Sequence, residues 1–160
     1  VRLDAVGTTT VLLNAALKRQ LALRIGSLPV QESQAKLTTE AARAMHITAP
    51  VSTYTTIYGG IANRIHNVQL VVHLVDEKLI APDATFSFNQ TAGERNASKG
   101  FLEAPVIVNG EVTTGLGGGV CQVSTTVFNA AFEAGLKITE RTNHALYSSQ
   151  YPQGLDPTVG

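Results

Sequence analysis

The chain has 160 residues with 12 acidic and 12 basic side chains, so its formal net charge at neutral pH is zero. This length suits one domain, or one domain with a small appendage, and allows a sizeable buried core. The balanced charge and the lack of basic runs argue against nucleic-acid binding, and the single cysteine excludes an internal disulfide framework and a cysteine-rich zinc site.

The first 50 residues predict a small α/β unit. Threonines at positions 8–10 precede apolar residues at helical spacing, and the segment 23–25 then becomes extended. A second, short helix is predicted over 38–45. Pro50 marks a boundary because proline disfavours a helical conformation in the residue before it. The sequence therefore predicts two domains, at 1–50 and 51–160.

The middle of the chain predicts strands around one long helix. An alternating segment predicts a strand over 52–57, and a wide apolar stripe predicts a largely buried helix over 61–77. Short strands are predicted at 79–80 and 85–88. Two apolar segments then flank Asn109-Gly110, a dipeptide typical of a two-residue hairpin turn.

A second helix follows a run of three glycines. Valines and alanines recur at helical spacing between Val120 and Gly135, so Cys121 lies in the first turn. Unpaired N–H groups and the positive end of the helix dipole favour a thiolate there. Strands are predicted at 137–141 and 145–148. The whole pattern predicts an α+β fold, in which helices, including the Cys121 helix, pack on an antiparallel sheet that contains the Asn109-Gly110 hairpin.

The order Cys121, His144, Asp156 permits a catalytic triad. A nucleophilic cysteine needs a base, and a carboxylate can orient that base. A structural interpretation is equally open, because a lone cysteine is often buried, and because Leu155-Asp156-Pro157 also suits a simple turn. The adjacent Gln122, or backbone N–H groups at the helix start, would supply an oxyanion site.

The polar residues of the predicted helix over 61–77 give weaker indications of function than Cys121 and His144 do. His66 and His73 lie seven positions apart, which is not a zinc-binding spacing, so we predict no metal and no cofactor. Arg64 and Asn67 lie within one helical turn and are predicted either to support the structure or to contact a ligand.

From Pro82 onward the sequence resembles the VanW family. The motifs that carry the resemblance are PDATFSFN at 82–89, Gly93-Glu94-Arg95, Gly100-Phe101, Ala104, GGGVCQVSTT at 117–126, Glu140-Arg141, His144, Tyr151-Pro152, Gly154, Asp156 and Thr158-Val159. Upstream, Thr55-Thr56, Arg64 and Asn67 also match, so the resemblance covers about two thirds of the chain.

The resemblance implies a secreted or membrane-anchored protein of the bacterial cell envelope. The first 50 residues look like the C-terminal part of a peptidoglycan-binding module, so peptidoglycan or its peptide stems are the expected partner. We expect membrane association only through segments outside this chain. The residues expected to bind the ligand are Gly117, Gly118, Gly119, Gln122, Ser124, Thr125, Arg64, Asn67 and Arg141.

Three functional hypotheses follow. A cysteine at a helix start, followed by strands with His and Asp, is similar in outline to papain-like hydrolases such as the NlpC/P60 group, which favours a cysteine-dependent acyl hydrolase or transferase. The second hypothesis is a non-catalytic module that binds the cell wall. The third is a structural or partner-docking domain of a surface protein.

Overall fold

The structure is a computed structural model, and it describes residues 2–33, 35–146 and 151–159. The chain divides into two compact units, Val1–Ala49 and Pro50–Gly160. Helices and small antiparallel sheets occur in both, so the predicted α+β class is confirmed. Across the described ranges, no helix has the length and apolar character that a membrane span requires.

The first unit combines short strands with two helices. Strand β1 (Arg2–Leu3) pairs with β2 (Val30–Gln31), while α1 covers Ala5–Ala16, α2 covers Thr39–Ala44, and a 3₁₀ turn covers Leu21–Leu23. Helix α1 begins earlier than the threonines predict, because the Asp4 side chain accepts a hydrogen bond from the Gly7 N–H at 3.0 Å. Thr38, where the sequence predicts the second helix to begin, is the N-cap residue of α2.

Two helices form the centre of the second unit. Helix α3 (Ala62–Val75) packs against the later helix α5 (Val120–Glu133), and the short α4 (Phe88–Ala92) packs on α3. A 3₁₀ turn covers Ala97–Lys99. Helix α3 has one buried face only, which corrects the expectation of a largely buried helix. The core consists of Val68, Val71, Ala92, Phe101, Val120 and Val123.

The predicted hairpin is confirmed. Strands β3 (Glu103–Val108) and β4 (Glu111–Leu116) pair in antiparallel register around Asn109 and Gly110, whose φ angles of 50° and 82° fit a type I′ turn. The hairpin contacts α3 through β3. Helix α5 packs chiefly on α3 and on strand β6 (Pro157–Thr158), which pairs with β5 (Thr142–Asn143). The sheet beside the cysteine helix is therefore a different one from the predicted hairpin sheet.

The strand predicted over 52–57 is extended but belongs to none of the described sheets. It runs along α5, where the Ser52 hydroxyl donates to the Ala130 carbonyl, and the Thr56 and Thr126 hydroxyls lie 2.7 Å apart. The side chains at 52, 54 and 56 are half-buried, while those at 51, 53 and 55 are exposed. The alternation is therefore real, but its buried face meets a helix.

Other predicted strands are also corrected. The segment 79–80 is irregular, and Ser87 accepts a hydrogen bond from the Gln90 N–H, so α4 begins where the strand at 85–88 was expected. The strand predicted at 137–141 forms slightly later, at Thr142–Asn143. In the strand predicted at 145–148, residues 147 and 148 lie outside the described residues.

Candidate functional site

The glycine run forms a tight turn at the start of α5. Gly119 is the N-cap residue with φ 104°, and Gly117 has φ 82°. A Cβ on Gly118 would overlap the backbone of Ala104 and Pro105. On Gly119 it would lie 2.9 Å from the Cγ of Arg64. Glycine is therefore required here by backbone conformation and by close packing.

Cys121 lies in the first turn of α5 and is partly buried. Its Sγ atom lies 3.3 Å from the Thr158 hydroxyl, in hydrogen-bonding range for sulfur. Over the described parts of the chain, no hydrogen bond joins Cys121 to His144. The thiol is therefore held against strand β6 in this structure.

Polar side chains of α5 fix that strand in place. The Ser124 and Thr125 hydroxyls each donate to the Pro157 carbonyl at 3.1 Å. One turn later, the buried Asn129 amide donates to the Leu155 carbonyl at 2.9 Å. The hydroxyls of Ser124 and Thr125, both predicted as ligand-binding residues, are thus engaged within the protein.

His144 and Asp156 form a close pair. The register of β5 and β6 places Asn143 opposite Pro157, which brings these two neighbours together. The Nδ1 atom of His144 lies 2.8 Å from the Asp156 carbonyl oxygen and 3.5 Å from its carboxylate. Because a carbonyl oxygen only accepts, Nδ1 carries the proton, and the lone pair of the neutral ring is on Nε2. This is the tautomer that a general base needs.

Strand β6 links the two halves of this site. Thr158, which contacts the thiol, lies two residues after Asp156, which orients the imidazole. The structure thus brings the three predicted catalytic residues to one short segment, with His144 paired to Asp156 and Cys121 paired to Thr158.

Arg64 and Gln122 line an open cleft of about 490 Å³ together with Ile57, Gly59 and Gly60. The Arg64 guanidinium donates to the Gln122 side-chain oxygen at 2.7 Å and to the Gly59 carbonyl at 2.5 Å. The Gln122 amide nitrogen donates to the Ile57 carbonyl at 2.8 Å. Gln122 therefore holds Arg64 in place with its oxygen while its N–H groups point to the extended segment 52–57.

Asn67 and Arg141, both predicted to bind a ligand, make internal contacts. The fully buried Asn67 amide donates to the carbonyls of Leu102 (2.8 Å) and Gly118 (3.0 Å), and it accepts from the Leu102 N–H at 2.9 Å. These bonds join α3 to the residue that precedes β3 and to the glycine turn. Arg141 donates to the Gly154 carbonyl, and its guanidinium lies 5.2 Å from the centre of the Phe128 ring.

Tyr151 belongs to the site, although sequence reasoning did not select it. Burial raises the pKa of its phenol above the ordinary value, Arg64 lowers this pKa, and Cys121 and Asp156 raise it. Tyr151 is thus close enough to interact electrostatically with both the cleft arginine and the thiol. Its signal in the sequence was its place in the Tyr151-Pro152 motif.

The two histidines of α3 lie on the surface of that helix. Both are exposed, and the Nε2 of His66 lies 2.8 Å from the Gly100 carbonyl oxygen. In the ranges that the structure describes, no group of three or more His, Cys, Asp or Glu side chains is placed to hold a metal ion.

Comparison with known proteins decides the family. The model of the family described as VanW like protein matches residues 63–160. The chain belongs to the VanW family. The match contains every catalytic and ligand-binding residue predicted from the sequence, from Arg64 to Asp156.

Two proteins are similar to this chain in sequence. The chain is 46% identical over 97 residues to the uncharacterized protein YoaR of Bacillus subtilis (strain 168). The matched residues make up 61% of this chain and 32% of that protein. It is 28% identical over 102 residues to the vancomycin B-type resistance protein VanW of Enterococcus faecalis (strain ATCC 700802 / V583). This match covers 61% of this chain and 37% of that protein. The chain thus spans about a third of the length of these relatives. No solved structure matches it.

Proposed function

We propose that this VanW domain works in the bacterial cell envelope, where it acts on the peptide stems of peptidoglycan by cysteine-dependent acyl transfer. The observation that carries the proposal is the His144–Asp156 pair on the segment that also contacts Cys121. The name of one relative, a vancomycin B-type resistance protein, supports a role at the cell wall.

The chemistry follows the general scheme for a thiol nucleophile. Cys121 transfers its proton to Nε2 of His144, and Sγ forms a bond to the acyl carbon of a peptide. The C–N bond then breaks, and the leaving amine takes the proton from Nε2. Water or a second amine attacks the thioester, gives its proton to the imidazole and releases the acyl product, while the sulfur leaves as thiolate. Asp156 keeps the ring in the required tautomer throughout.

This mechanism requires the thiol to turn from Thr158 towards His144. Apo structures often show catalytic hydrogen bonds that tighten only in a complex with substrate, so such a rearrangement is compatible with catalysis. The papain-like outline remains part of this proposal, with β5 and β6 as the strands that carry the base.

The thiol test compares alkylation of Cys121 by iodoacetamide between about pH 5.5 and 9, a range that spans the ordinary histidine pKa. We expect His144→Ala to move the alkylation profile to higher pH, and Asp156→Ala to move it less. His73→Ala is the matched control, because His73 is an exposed histidine on the surface of α3. An identical profile in wild type and His144→Ala would overturn the catalytic mechanism.

The substrate test uses purified peptidoglycan. Mass spectrometry of the soluble fragments should show new cleaved or exchanged peptide stems with the wild-type protein and none with Cys121→Ala. Equal products from both proteins would assign the activity to a contaminant.

A second candidate, a non-catalytic wall-binding module, is favoured by one observation. The thiol is hydrogen-bonded to Thr158, while the cleft at Arg64 and Gln122 is open. In this case Cys121→Ala should sediment with insoluble peptidoglycan as well as the wild type does, and neither protein should release peptides.

A further inference from the structure

The cleft beside Arg64 points to a specific kind of ligand group. Arg64 is half-buried, and two of its N–H groups donate to neutral acceptors, the Gly59 carbonyl and the Gln122 side chain. A guanidinium has five N–H donors, so others remain for a ligand. Within the described part of the chain, no carboxylate lies within ion-pairing distance of Arg64. Its positive charge is therefore not neutralised by a neighbouring side chain.

The orientation of Arg64 is fixed before any ligand arrives. Gln122 is buried, with 4% of its surface exposed, and is itself held by the Ile57 carbonyl. The Arg64 stem packs on Gly119, where a Cβ would lie 2.9 Å from Cγ. A guanidinium held in this way loses little side-chain entropy on binding a planar anion.

The cleft is electrostatically connected to the thiol. Tyr151 interacts with both Arg64 and Cys121, and burial raises its pKa, so the phenol keeps its proton at neutral pH and adds no negative charge. The Asp156 carboxylate also interacts with Tyr151, and it lies 3.5 Å from Nδ1 of His144. Gln122, which lines the cleft, and Cys121 are adjacent residues in the first turn of α5, at the positive end of its dipole.

We propose that Arg64 binds the free C-terminal carboxylate of a peptide, so that the bond presented to Cys121 lies near the end of a peptide chain. Carboxylates match the planar guanidinium fork and form bidentate pairs with it. The choice of a peptide rests on the proposed function, whereas the carboxylate subsite rests on the cleft alone. The site would thus recognise unlinked stem ends.

The test measures binding to the Cys121→Ala protein, which cannot turn the peptide over. Three fluorescein-labelled peptides are compared by anisotropy. The first two share one sequence and end in a free carboxylate and in an amide. The third has a C-terminal glutamate with an amidated α-carboxyl group, so that its carboxylate is on the side chain. We expect the free acid to bind about tenfold more tightly than either amide, with a difference that shrinks as salt is added.

Arg64→Gln in the same protein should bind the acid and the amide equally. Arg64→Lys keeps the charge and should retain part of the preference, which separates loss of charge from loss of fold. Arg43→Gln, at an exposed position on α2, is the matched control and should retain the full preference. Circular dichroism checks that each variant is folded.

Two results would overturn the carboxylate subsite. They are an acid preference that survives in folded Arg64→Gln, and tighter binding of the glutamate amide than of the free acid. If the acid preference holds while the alkylation test fails, the subsite belongs to a binding module. If alkylation depends on His144 but the acid and the amide bind equally, only the subsite is wrong.

Discussion

The two units of the chain are similarly apolar but differ in what they bury. In Val1–Ala49 no described residue is buried, and Leu13 on α1 and Leu17 at its C-cap are 60% and 80% exposed. In Pro50–Gly160, Val71 and Phe101 have 1% or less of their surface exposed. Hydrophobic residues stabilise a fold only when their faces meet, so the second unit is expected to supply most of the folding free energy.

Aromatic residues sharpen this contrast. All nine lie in the second unit, at positions 54, 58, 86, 88, 101, 128, 132, 147 and 151. An aromatic side chain buries more area than any aliphatic one, so their absence leaves the first unit without large core residues. A 12-residue helix such as α1 is marginal in water without a packed face.

Hydrogen bonds show the same division. The described side-chain hydrogen bonds of the first unit join residues at most six positions apart. In the second unit, Asn67 reaches Leu102 and Asn129 reaches Leu155, which are 35 and 26 positions away. Long-range hydrogen bonds from side chains therefore hold the second unit together, whereas the described long-range hydrogen bonds of the first unit are those of its backbone.

Phe101→Ala is the substitution with the largest expected effect on stability. Removing a fully buried aromatic ring should lower the free energy of unfolding by about 3 to 5 kcal/mol, whereas Leu17→Ala at an exposed position should change it by less than about 0.5 kcal/mol. Urea unfolding followed by circular dichroism reports on both units, and tyrosine fluorescence separates out the second unit, because the first has no tyrosine. Equal losses in the two variants would contradict the assignment of the core.

A matched pair of glycines tests packing rigidity. A Cβ on Gly118 would overlap the Pro105 carbonyl, while one on Gly26 would overlap a methyl group of Val11 to the same extent. A methyl group can move and a packed backbone cannot. Gly118→Ala should therefore lower the free energy of unfolding by about 1 to 3 kcal/mol. Gly26→Ala should cost less, as measured by the urea midpoint from circular dichroism. A larger loss at Gly26 would show that the first unit is the more rigid one.

Local sequence signals predicted the elements that local chemistry determines. Asn109-Gly110 can adopt the two positive φ angles of a type I′ turn, so the hairpin was predictable, and the apolar spacing after Gly119 predicted α5. In the segment 52–57, the sequence also predicted the observed alternation of half-buried and exposed side chains. What lies opposite that segment depends on residues some 70 positions away, which no local pattern contains.

The site was predictable in its residue types and only partly in its contacts. Cys121, His144 and Asp156 come to one segment, but the thiol partner is Thr158, which the sequence marks only as part of the resemblance to the VanW family. Tyr151 was missed because its importance comes from burial and from neighbours far along the chain. Geometry of this kind follows from tertiary packing rather than from spacing.

The smallest expected effect concerns alkaline pH and Tyr151. Burial raises the pKa of this phenol in the folded state, so the folded protein holds the proton more tightly than the unfolded chain does. The resulting stabilisation is complete below the unfolded pKa of about 10 and is lost as the pH rises through the folded pKa. The melting temperature of the wild type should thus fall relative to Tyr151→Phe between about pH 9 and 11.5.

Tyr58→Phe, at an exposed tyrosine of the same unit, should follow the wild type. A constant difference in melting temperature between Tyr151→Phe and wild type across this range would mean that the phenol is not buried in solution. The contrast in burial between the two units would then not extend to the site around Cys121.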